Sequence, residues 1–157
     1  MAEPPMPTID QMLCFAVYSA GHAFTRFYKP RLDALDLTYP QYLVFLVLWE
    51  KDDLTVKTLG QRLFLDSGTI TPLIKRLEAR GLVSRHRDDD DERQVRIRLT
   101  PEGRALRGKA QAIPLAVIEG AGQSLEATEA LRQELVALRA RLDGGVTSDK
   151  GFDHPEQ

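Results

Sequence analysis

Apolar residues recur every three or four positions in two neighbouring stretches in the middle of the chain. The first stretch, Thr55 to Phe64, predicts a helix with Thr55 as its N-cap. A turn is expected over Leu65 to Thr69, because these residues include two N-capping side chains and a glycine. The second stretch predicts a helix that ends at Arg80-Gly81. The apolar positions of the two helices are Val56, Leu59, Leu63, Ile70, Leu73, Ile74 and Leu77.

The polar face of the second predicted helix carries short hydroxyls and long cations. Such side chains suit hydrogen bonds to base edges and phosphates in the major groove of duplex DNA. We therefore expect this helix to bind DNA, together with Asp66 in the turn before it. The candidate residues on the helix are Ser67, Thr69, Thr71, Lys75 and Arg76.

The period of the pattern changes to two after this helix. Leu82 to Arg87 and Arg93 to Thr100 predict two strands of a hairpin, with Asp88 to Glu92 at its tip. Between Lys75 and Arg104 the chain holds nine of its 21 lysines and arginines. Arg85 and Arg87 join the DNA-binding candidates for this reason, whereas the run Asp88-Asp89-Asp90 is interpreted as a solvated turn.

The end of this hairpin carries a recognisable motif. Asp91-Glu92-Arg93, followed after five residues by Leu99-Thr100-Pro101-Glu102-Gly103, resembles the wing signature of the MarR family of winged helix-turn-helix repressors. The resemblance implies a mainly α fold with a small β-wing. It also implies that Arg93 enters the minor groove of DNA while Asp91 holds it in place. A narrow minor groove attracts a guanidinium, and a neighbouring carboxylate can fix its rotamer.

Further helices are predicted on both sides of this module. Pro7 to Gln11 forms a capping box that opens a long helix toward Tyr28, and Lys29-Pro30 should break it. Tyr39 to Glu50 is so apolar that we place it at the centre of the core. After Pro101 the pattern predicts two more helices, over Glu102 to Ile118 and Ser124 to Leu142.

The last predicted helix has a seam suited to a partner helix. Its leucines are spaced four, three and four residues apart, at Leu131, Leu135, Leu138 and Leu142. Terminal helices with spare apolar faces indicate a two-fold homodimer, which would place two reading helices one DNA turn apart on an inverted repeat.

These patterns predict one domain over residues 8–143, with short tails on either side. The DNA-binding part is expected at about 54–100, and the dimerisation part at about 8–35 and 102–142. Residues 1–7 and 144–157 are rich in proline, glycine or charge and are expected to be disordered.

Composition narrows the function further. A net charge of −2 weakens the idea of indiscriminate polyanion binding and implies that basic surface is confined to one face. The chain has no run of eighteen apolar residues, so we expect a cytoplasmic protein with no membrane partner. Its three histidines are scattered, which predicts no metal site, and no cofactor motif is found. Cys14 and His22 would lie about 12 Å apart on one helix, so an enzyme is not expected.

Cys14 is the only cysteine, which excludes an intrachain disulfide. A lone cysteine is often a small buried hydrophobe, but a position near a helix start favours a reactive thiolate. Tyr18 lies one turn further along, and Tyr28 lies about 21 Å away on a straight helix. Antiparallel packing of the first helices in a dimer would bring Tyr28 of one subunit toward Cys14 of the other.

The motifs around these residues resemble the organic-hydroperoxide-sensing branch of the MarR family. They are Leu13-Cys14-Phe15-Ala16-Val17-Tyr18, Tyr28-Lys29-Pro30 and Leu37-Thr38-Tyr39-Pro40-Gln41-Tyr42-Leu43-Val44. The resemblance implies that Cys14 is the peroxide-reactive thiolate, and that the tyrosine hydroxyls of Tyr28 and Tyr39 bond to it from the partner subunit. Tyr18 is a further candidate for this network.

Some members of that branch carry a second, resolving cysteine, which this chain lacks. A sulfenic acid on Cys14 would then react with a small external thiol, a backbone nitrogen or a second Cys14, or oxidise further. The sequence thus predicts a homodimeric repressor that releases its operator when organic hydroperoxide oxidises Cys14. The alternative is a MarR-type regulator controlled by a reversibly bound small aromatic or anionic ligand, with Cys14 structural.

Overall fold

The computed structural model describes residues 5–148, with side chains through residue 145. The expected class, mainly α with a small β-wing, is confirmed, and the contacts divide the chain into two compact units at residues 113 and 114. The helices are α1 (Leu13–Asp33), α2 (Tyr39–Glu50), α3 (Val56–Leu63), α4 (Ser67–Ala79), α5 (Pro101–Ala110), α6 (Ile113–Ala121) and α7 (Leu125–Ser148); the strands are β1 (Leu54–Thr55), β2 (Val83–Arg87) and β3 (Val95–Leu99).

Helix α2 lies in the core of the first unit, with the bounds that the sequence predicts. It begins with a capping box, in which the Thr38 hydroxyl accepts from the Gln41 N–H while the Gln41 side chain accepts from the Thr38 N–H. At its far end the indole of Trp49 donates to the Gly103 carbonyl of α5 at 3.1 Å. The most deeply buried side chains of α2 are Tyr42, Val44, Phe45 and Leu48.

Helix α1 departs from its prediction at both ends. The capping box at Thr8 opens only a 3-10 helix, Ile9–Gln11, and α1 itself begins at Leu13. The expected break at Lys29-Pro30 is wrong, because α1 continues through Pro30 to Asp33. A proline inside a helix costs about 3 kcal/mol. Complete burial of Leu32, worth about 1.5–3 kcal/mol, offsets most of that cost.

Helices α3 and α4 form the predicted helix-turn-helix, with one boundary corrected. Thr55 caps α3 as expected, since its side chain accepts from the Thr58 N–H. The expected turn over Leu65 to Thr69 is too long, because α4 already begins at Ser67. The Asp66 carboxylate accepts from the Thr69 N–H at 2.8 Å and so starts the helix, while Phe64 takes the left-handed turn conformation with φ 56°.

The wing is an antiparallel hairpin joined by a third strand that the sequence did not reveal. Strand order is β1-β3-β2, and Leu54 of β1 pairs with Ile97 of β3. β3 begins at Val95, so Arg93 lies in the tip rather than on the strand as predicted. Two residues are too few to show a period of two, which explains why β1 escaped detection.

Over residues 101–148 the chain forms three helices instead of the two predicted after Pro101. A turn at Gln111-Ala112 ends α5, and Pro114 then stands in the first turn of α6, where proline is tolerated. In the second unit, α7 leaves Leu131, Leu135 and Leu142 exposed. No helix in residues 5–148 is long and apolar enough to cross a membrane.

The predicted tails lie mostly outside the described residues, which exclude 1–4 and 149–157. Helix α7 continues to Ser148 and so includes the first five residues of the tail expected over 144–157. Propagating an existing helix fixes one residue for each new hydrogen bond, so the two glycines at its end do not stop it.

Candidate functional site

Helix α4 presents the hydroxyls and cations that the sequence selected as DNA contacts. Ser67, Thr69, Lys75 and Arg76 are exposed, and Thr71 is half-buried. The opposite face is held in the core by four buried residues, Ile70, Leu73, Ile74 and Leu77. Asp66 has a different place from the other candidates, since its carboxylate caps the helix.

A groove of about 310 Å³ separates α4 from the wing. Thr71 lines it from α4, while Arg85 and Arg93 line it from the hairpin. The structure therefore brings candidates from both motifs to one groove. Arg76 instead lines a second hollow of about 710 Å³, together with Lys29 and Arg80.

The wing residues differ in how firmly the chain holds them. Arg85 lies 3.6 Å from the Glu78 carboxylate of α4, and Arg87 is exposed on β2. The Arg93 side chain is 91% exposed, yet its Nε donates to Asp91 Oδ1 at 3.1 Å. The structure thus joins the two residues that the wing motif pairs. The Arg93 side chain, then Gln94 and the Arg93 N–H, hold the pKa of Asp91 below its ordinary value by hydrogen bonding to its carboxylate.

The interpretation of the acidic run as a solvated turn is wrong for Asp88. Asp89 and Asp90 are exposed, but Asp88 is 9% exposed and accepts hydrogen bonds from the backbone N–H groups of Asp90 and Asp91 at 2.9 and 3.0 Å. Its other oxygen accepts from Arg96 at 2.7 Å. Aspartate commonly bonds to backbone N–H groups two or three residues on, and here that habit shapes the wing tip.

Arg96 and its partners are functional candidates that the sequence analysis missed. Its guanidinium bonds to Asp88 on one side and to Asp53, in the turn before β1, on the other. Arg98 also pairs with Asp53, at 3.1 Å. The available signal was the pair of arginines at alternate positions of one strand, with an acidic pair directly before Leu54.

Cys14 is exposed and occupies the second position of α1. Because α1 begins at Leu13, the thiol lies in the first turn, nearer to the helix start than the sequence predicts. Unpaired backbone N–H groups at this end favour negative charge on a side chain. Tyr18, one turn on, is 63% exposed, and its ring lies 4.4 Å from that of His22.

Tyr28 and Tyr39 meet in one cluster within the chain. Their ring centroids are 4.8 Å apart, and Tyr42 lies 5.7 Å from Tyr28. Burial, and then the neighbouring Tyr39 and Tyr42, raise the pKa of Tyr28 to about 12, and burial also raises the pKa of Tyr39. Both phenols therefore remain protonated hydrogen-bond donors at neutral pH. The cluster stands about 21 Å along α1 from Cys14, as 1.5 Å per residue requires.

Comparison with known proteins places the chain among transcriptional regulators. Residues 26–109 match the family model for the transcriptional regulator SarA/Rot. The HTH-type transcriptional regulator TtmR of Methylorubrum extorquens is 55% identical, over 86% of this chain and 69% of TtmR. The organic hydroperoxide resistance transcriptional regulator of Bacillus subtilis is 46% identical, over 85% of this chain and 91% of that protein.

Solved structures extend the comparison to a regulator seen on DNA. The crystal structure of AbfR of Staphylococcus epidermidis is 35% identical, covers 84% of this chain and 91% of AbfR, and has a TM-score of 0.72. AbfR has been solved reduced and bound to DNA, overoxidized and bound to DNA, and in a disulfide-formed state. This chain therefore belongs to the SarA/Rot and MarR type of winged-helix, DNA-binding transcriptional regulators.

Proposed function

We propose that this protein is a homodimeric repressor that senses organic hydroperoxides through Cys14 and then releases an inverted-repeat operator. The observation that carries the proposal is the position of Cys14, an exposed thiol in the first turn of α1. An exposed thiol at such a position is open to peroxides, and reactive cysteines commonly lie at helix N-termini. The relative from Bacillus subtilis, 46% identical, supports organic hydroperoxide as the inducer.

A dimer completes the site that one chain leaves open. Cys14 is far along α1 from Tyr28 and Tyr39, so the hydroxyls of the same chain do not reach the sulfur. Antiparallel packing of two α1 helices would set each thiol beside the tyrosine cluster of the other subunit. Exposed apolar side chains support such packing; on α1 they include Leu13, Val17 and Phe24.

The proposed chemistry begins when the Cys14 thiolate attacks the terminal oxygen of the hydroperoxide. The O–O bond breaks, the cysteine becomes a sulfenic acid, and the alkoxide takes a proton to leave as an alcohol. Protonated phenols at Tyr28 and Tyr39 would donate hydrogen bonds to the thiolate before the reaction and to the oxidised sulfur after it. Tyr18 would lie at the edge of this network.

Bulk on the sulfur then drives release of DNA. A small thiol reacts with the sulfenic acid to form a mixed disulfide and water, which introduces a whole thiol moiety into a close-packed interface. Packed interfaces move between discrete arrangements. The added bulk would therefore change the relative positions of the two α4 helices and the two wings in the dimer. Overoxidized AbfR bound to DNA supports this order of events, because added oxygen alone is compatible with DNA binding in that relative.

On DNA, α4 would lie in the major groove and the wing tip at the minor groove. Ser67, Thr69, Thr71, Lys75 and Arg76 would face bases or phosphates, with Asp66 setting the start of the helix. Arg85 and Arg87 would approach phosphates, and Arg93, held by Asp91, would enter the minor groove.

The test replaces Cys14 with serine and follows operator binding after treatment with cumene hydroperoxide. We expect Cys14→Ser to bind DNA as wild type does and to stay bound at peroxide doses that release the wild-type protein. A variant that also carries Ala20→Cys controls for position, because it restores an exposed thiol beyond the first turn of α1. A Cys14→Ser protein that still releases DNA would instead support the reversible-ligand alternative.

A second arm of the experiment titrates a small thiol such as cysteine from zero during oxidation of the wild-type protein. We expect full release only with the thiol, together with a mass increase that matches the mixed disulfide. Complete dissociation without thiol, with no disulfide detected by mass spectrometry, would show that oxidation of the sulfur is sufficient.

A further inference from the structure

A continuous series of hydrogen bonds crosses the wing from the turn after α2 to Arg93. It begins at Asp53, whose carboxylate accepts from Arg96 Nε at 2.7 Å. The Arg96 guanidinium, on β3, also donates to Asp88 Oδ2 at 2.7 Å, just after the end of β2. The other Asp88 oxygen accepts from the Asp91 N–H, and the Asp91 side chain holds Arg93. Every step of the series is a direct contact within the chain.

The inner end of the series is anchored at the junction of α2 and β1. Asp53 takes a left-handed backbone conformation with φ 59°, which directs its side chain and its carbonyl to the same guanidinium. Its neighbour Asp52 accepts from the Leu99 N–H at 2.9 Å and pairs with Arg104 of α5 at 2.8 Å. The acidic pair therefore fixes β3 to the body of the first unit.

The outer end fixes the loop that carries Arg93. Seven residues, 88–94, join the two strands, and a loop of that length has many conformations when its backbone is unpaired. Here the Asp88 carboxylate bonds two N–H groups, while the Asp88 N–H donates to the Gln94 carbonyl at 3.0 Å. The Asp88 side chain is 11% exposed, so this contact is protected from water.

We propose that Asp53 and Asp88, acting through Arg96, are positioning residues that hold Arg93 in the pose in which it binds DNA. The inference rests on the proposed role of Arg93 in the minor groove and adds the residues that prepare it. A preformed loop avoids the ordering cost of binding, whereas a loose loop loses affinity even when every DNA contact is still available.

Two variants remove the network, and one variant matches them in charge. Asp88→Asn leaves one acceptor oxygen for Arg96 and the two backbone N–H groups that share the carboxylate, so one side of the contact must face the amide NH2. Asp53→Asn removes the carboxylate while asparagine still tolerates the left-handed backbone. Asp89→Asn takes the same charge from the same tip, at an exposed residue. The probe is a duplex that the wild-type protein selects from a random pool, and affinity is measured at fixed salt.

We expect Asp88→Asn and Asp53→Asn to weaken binding about five- to tenfold, as for residues coupled in one hydrogen-bond network. Asp89→Asn should bind as tightly as wild type or more tightly, since it removes negative charge beside DNA. Hydrogen exchange at the N–H groups of Asp90 and Asp91 should accelerate in Asp53→Asn, although Asp53 does not contact them. A thermal melt of each variant checks folding, and Asp53→Asn serves alone if Asp88→Asn does not fold.

The decisive comparison repeats each substitution in an Arg93→Ala background. If the network acts through Arg93, Asp88→Asn should change the affinity of that background by less than about twofold. Equal losses in both backgrounds, or an Asp88→Asn protein that binds like Asp89→Asn, would overturn the inference. Wild-type affinity of Arg93→Ala alone would contradict the proposed function of the wing as well, so the two failures are distinguishable.

Discussion

The wing and the first half of α1 differ in whether their side chains find partners within the same chain. In the wing, the polar groups of Asp88, Arg96 and Asp53 find partners within the chain, at distances near 2.7 Å. In α1, Leu32 near the far end is the buried residue of the described helix, and Cys14 at the near end is exposed. The wing residues that we propose to contact DNA are thus fixed within one chain, whereas Cys14 would meet the tyrosine cluster only in the proposed dimer.

The largest expected effect on stability comes from adding one methyl group at the tightly packed base of the wing. A Cβ at Gly103 would stand 2.1 Å from the Leu82 carbonyl oxygen, so Gly103→Ala must push α5 away from the wing. We expect a loss of about 3 kcal/mol in the free energy of unfolding, measured by urea denaturation. Gly108→Ala, on the same helix with no atom within 4 Å of the added Cβ, should instead stabilise by about 0.5–1 kcal/mol. Equal effects would contradict the close approach.

Arg93→Ala tests whether the wing contacts DNA, and whether this contact is independent of the proposed sensing residue Cys14. Its side chain is exposed, so the substitution should leave folding unchanged and weaken operator binding by about 1–3 kcal/mol. Arg107→Ala removes the same charge from an exposed position on α5 and should have a smaller effect. Gel shifts at fixed salt measure both, and alkylation of Cys14 should proceed at the wild-type rate in each. Unaltered affinity of folded Arg93→Ala would remove the wing tip from the interface.

Substitutions in the tyrosine cluster should produce the reciprocal result. Tyr28→Phe and Tyr39→Phe delete one hydroxyl each and keep the rings that pack 4.8 Å apart. Loss of the proposed hydrogen bond to the Cys14 sulfur, worth about 1.5 kcal/mol, should slow oxidation of Cys14 about tenfold and leave DNA binding by the reduced protein nearly intact. Stopped-flow oxidation with an alkyl hydroperoxide measures the rate. Wild-type rates in both variants would exclude the tyrosines from the mechanism.

The smallest expected effect is a change in the stability of the fold at low pH. Hydrogen bonds from Arg96, and then from the Asp91 and Asp90 N–H groups, lower the pKa of Asp88 in the folded chain. A carboxyl with a lowered pKa stabilises the fold above its unfolded pKa of about 3.9, and this contribution is lost as the pH falls through the folded pKa. Wild type should therefore lose slightly more stability below about pH 4 than Asp88→Asn does. Equal losses of stability in the two proteins as the pH falls would contradict the contact between Asp88 and Arg96.

Local signals in the sequence predicted the elements whose ends are marked by their own residues. The apolar run from Tyr39 to Glu50 predicted the bounds of α2, which the structure fixes with the Thr38-Gln41 capping box, and Thr55 predicted the start of α3. The predictions failed where distant residues decide the outcome. Burial of Leu32 carries α1 past Pro30, and two residues of β1 form a strand only because β3 lies beside them.

The candidate site divides in the same way. The wing motif and the position of Cys14 could be recognised from the sequence, and the structure places Asp91 against Arg93 as the motif implies. The role of Asp88 could not be predicted from the sequence, because a run of like charges does not show which carboxylate pairs with Arg96 eight residues away. Nor does spacing reveal Asp53, which lies 43 residues from Arg96 along the chain.

Trp49 is the only tryptophan in the chain, and it stands between the tyrosine cluster and the base of the wing. Its ring lies 6.3 Å from that of Tyr42, which contacts Tyr28, while its indole N–H donates to Gly103 at the base of the wing. Indole emission responds to such hydrogen bonds and to neighbouring rings. The protein thus contains its own fluorophore at the junction between the proposed sensor and reader, so a stopped-flow trace of an unlabelled sample follows the interior of the molecule while oxidation proceeds.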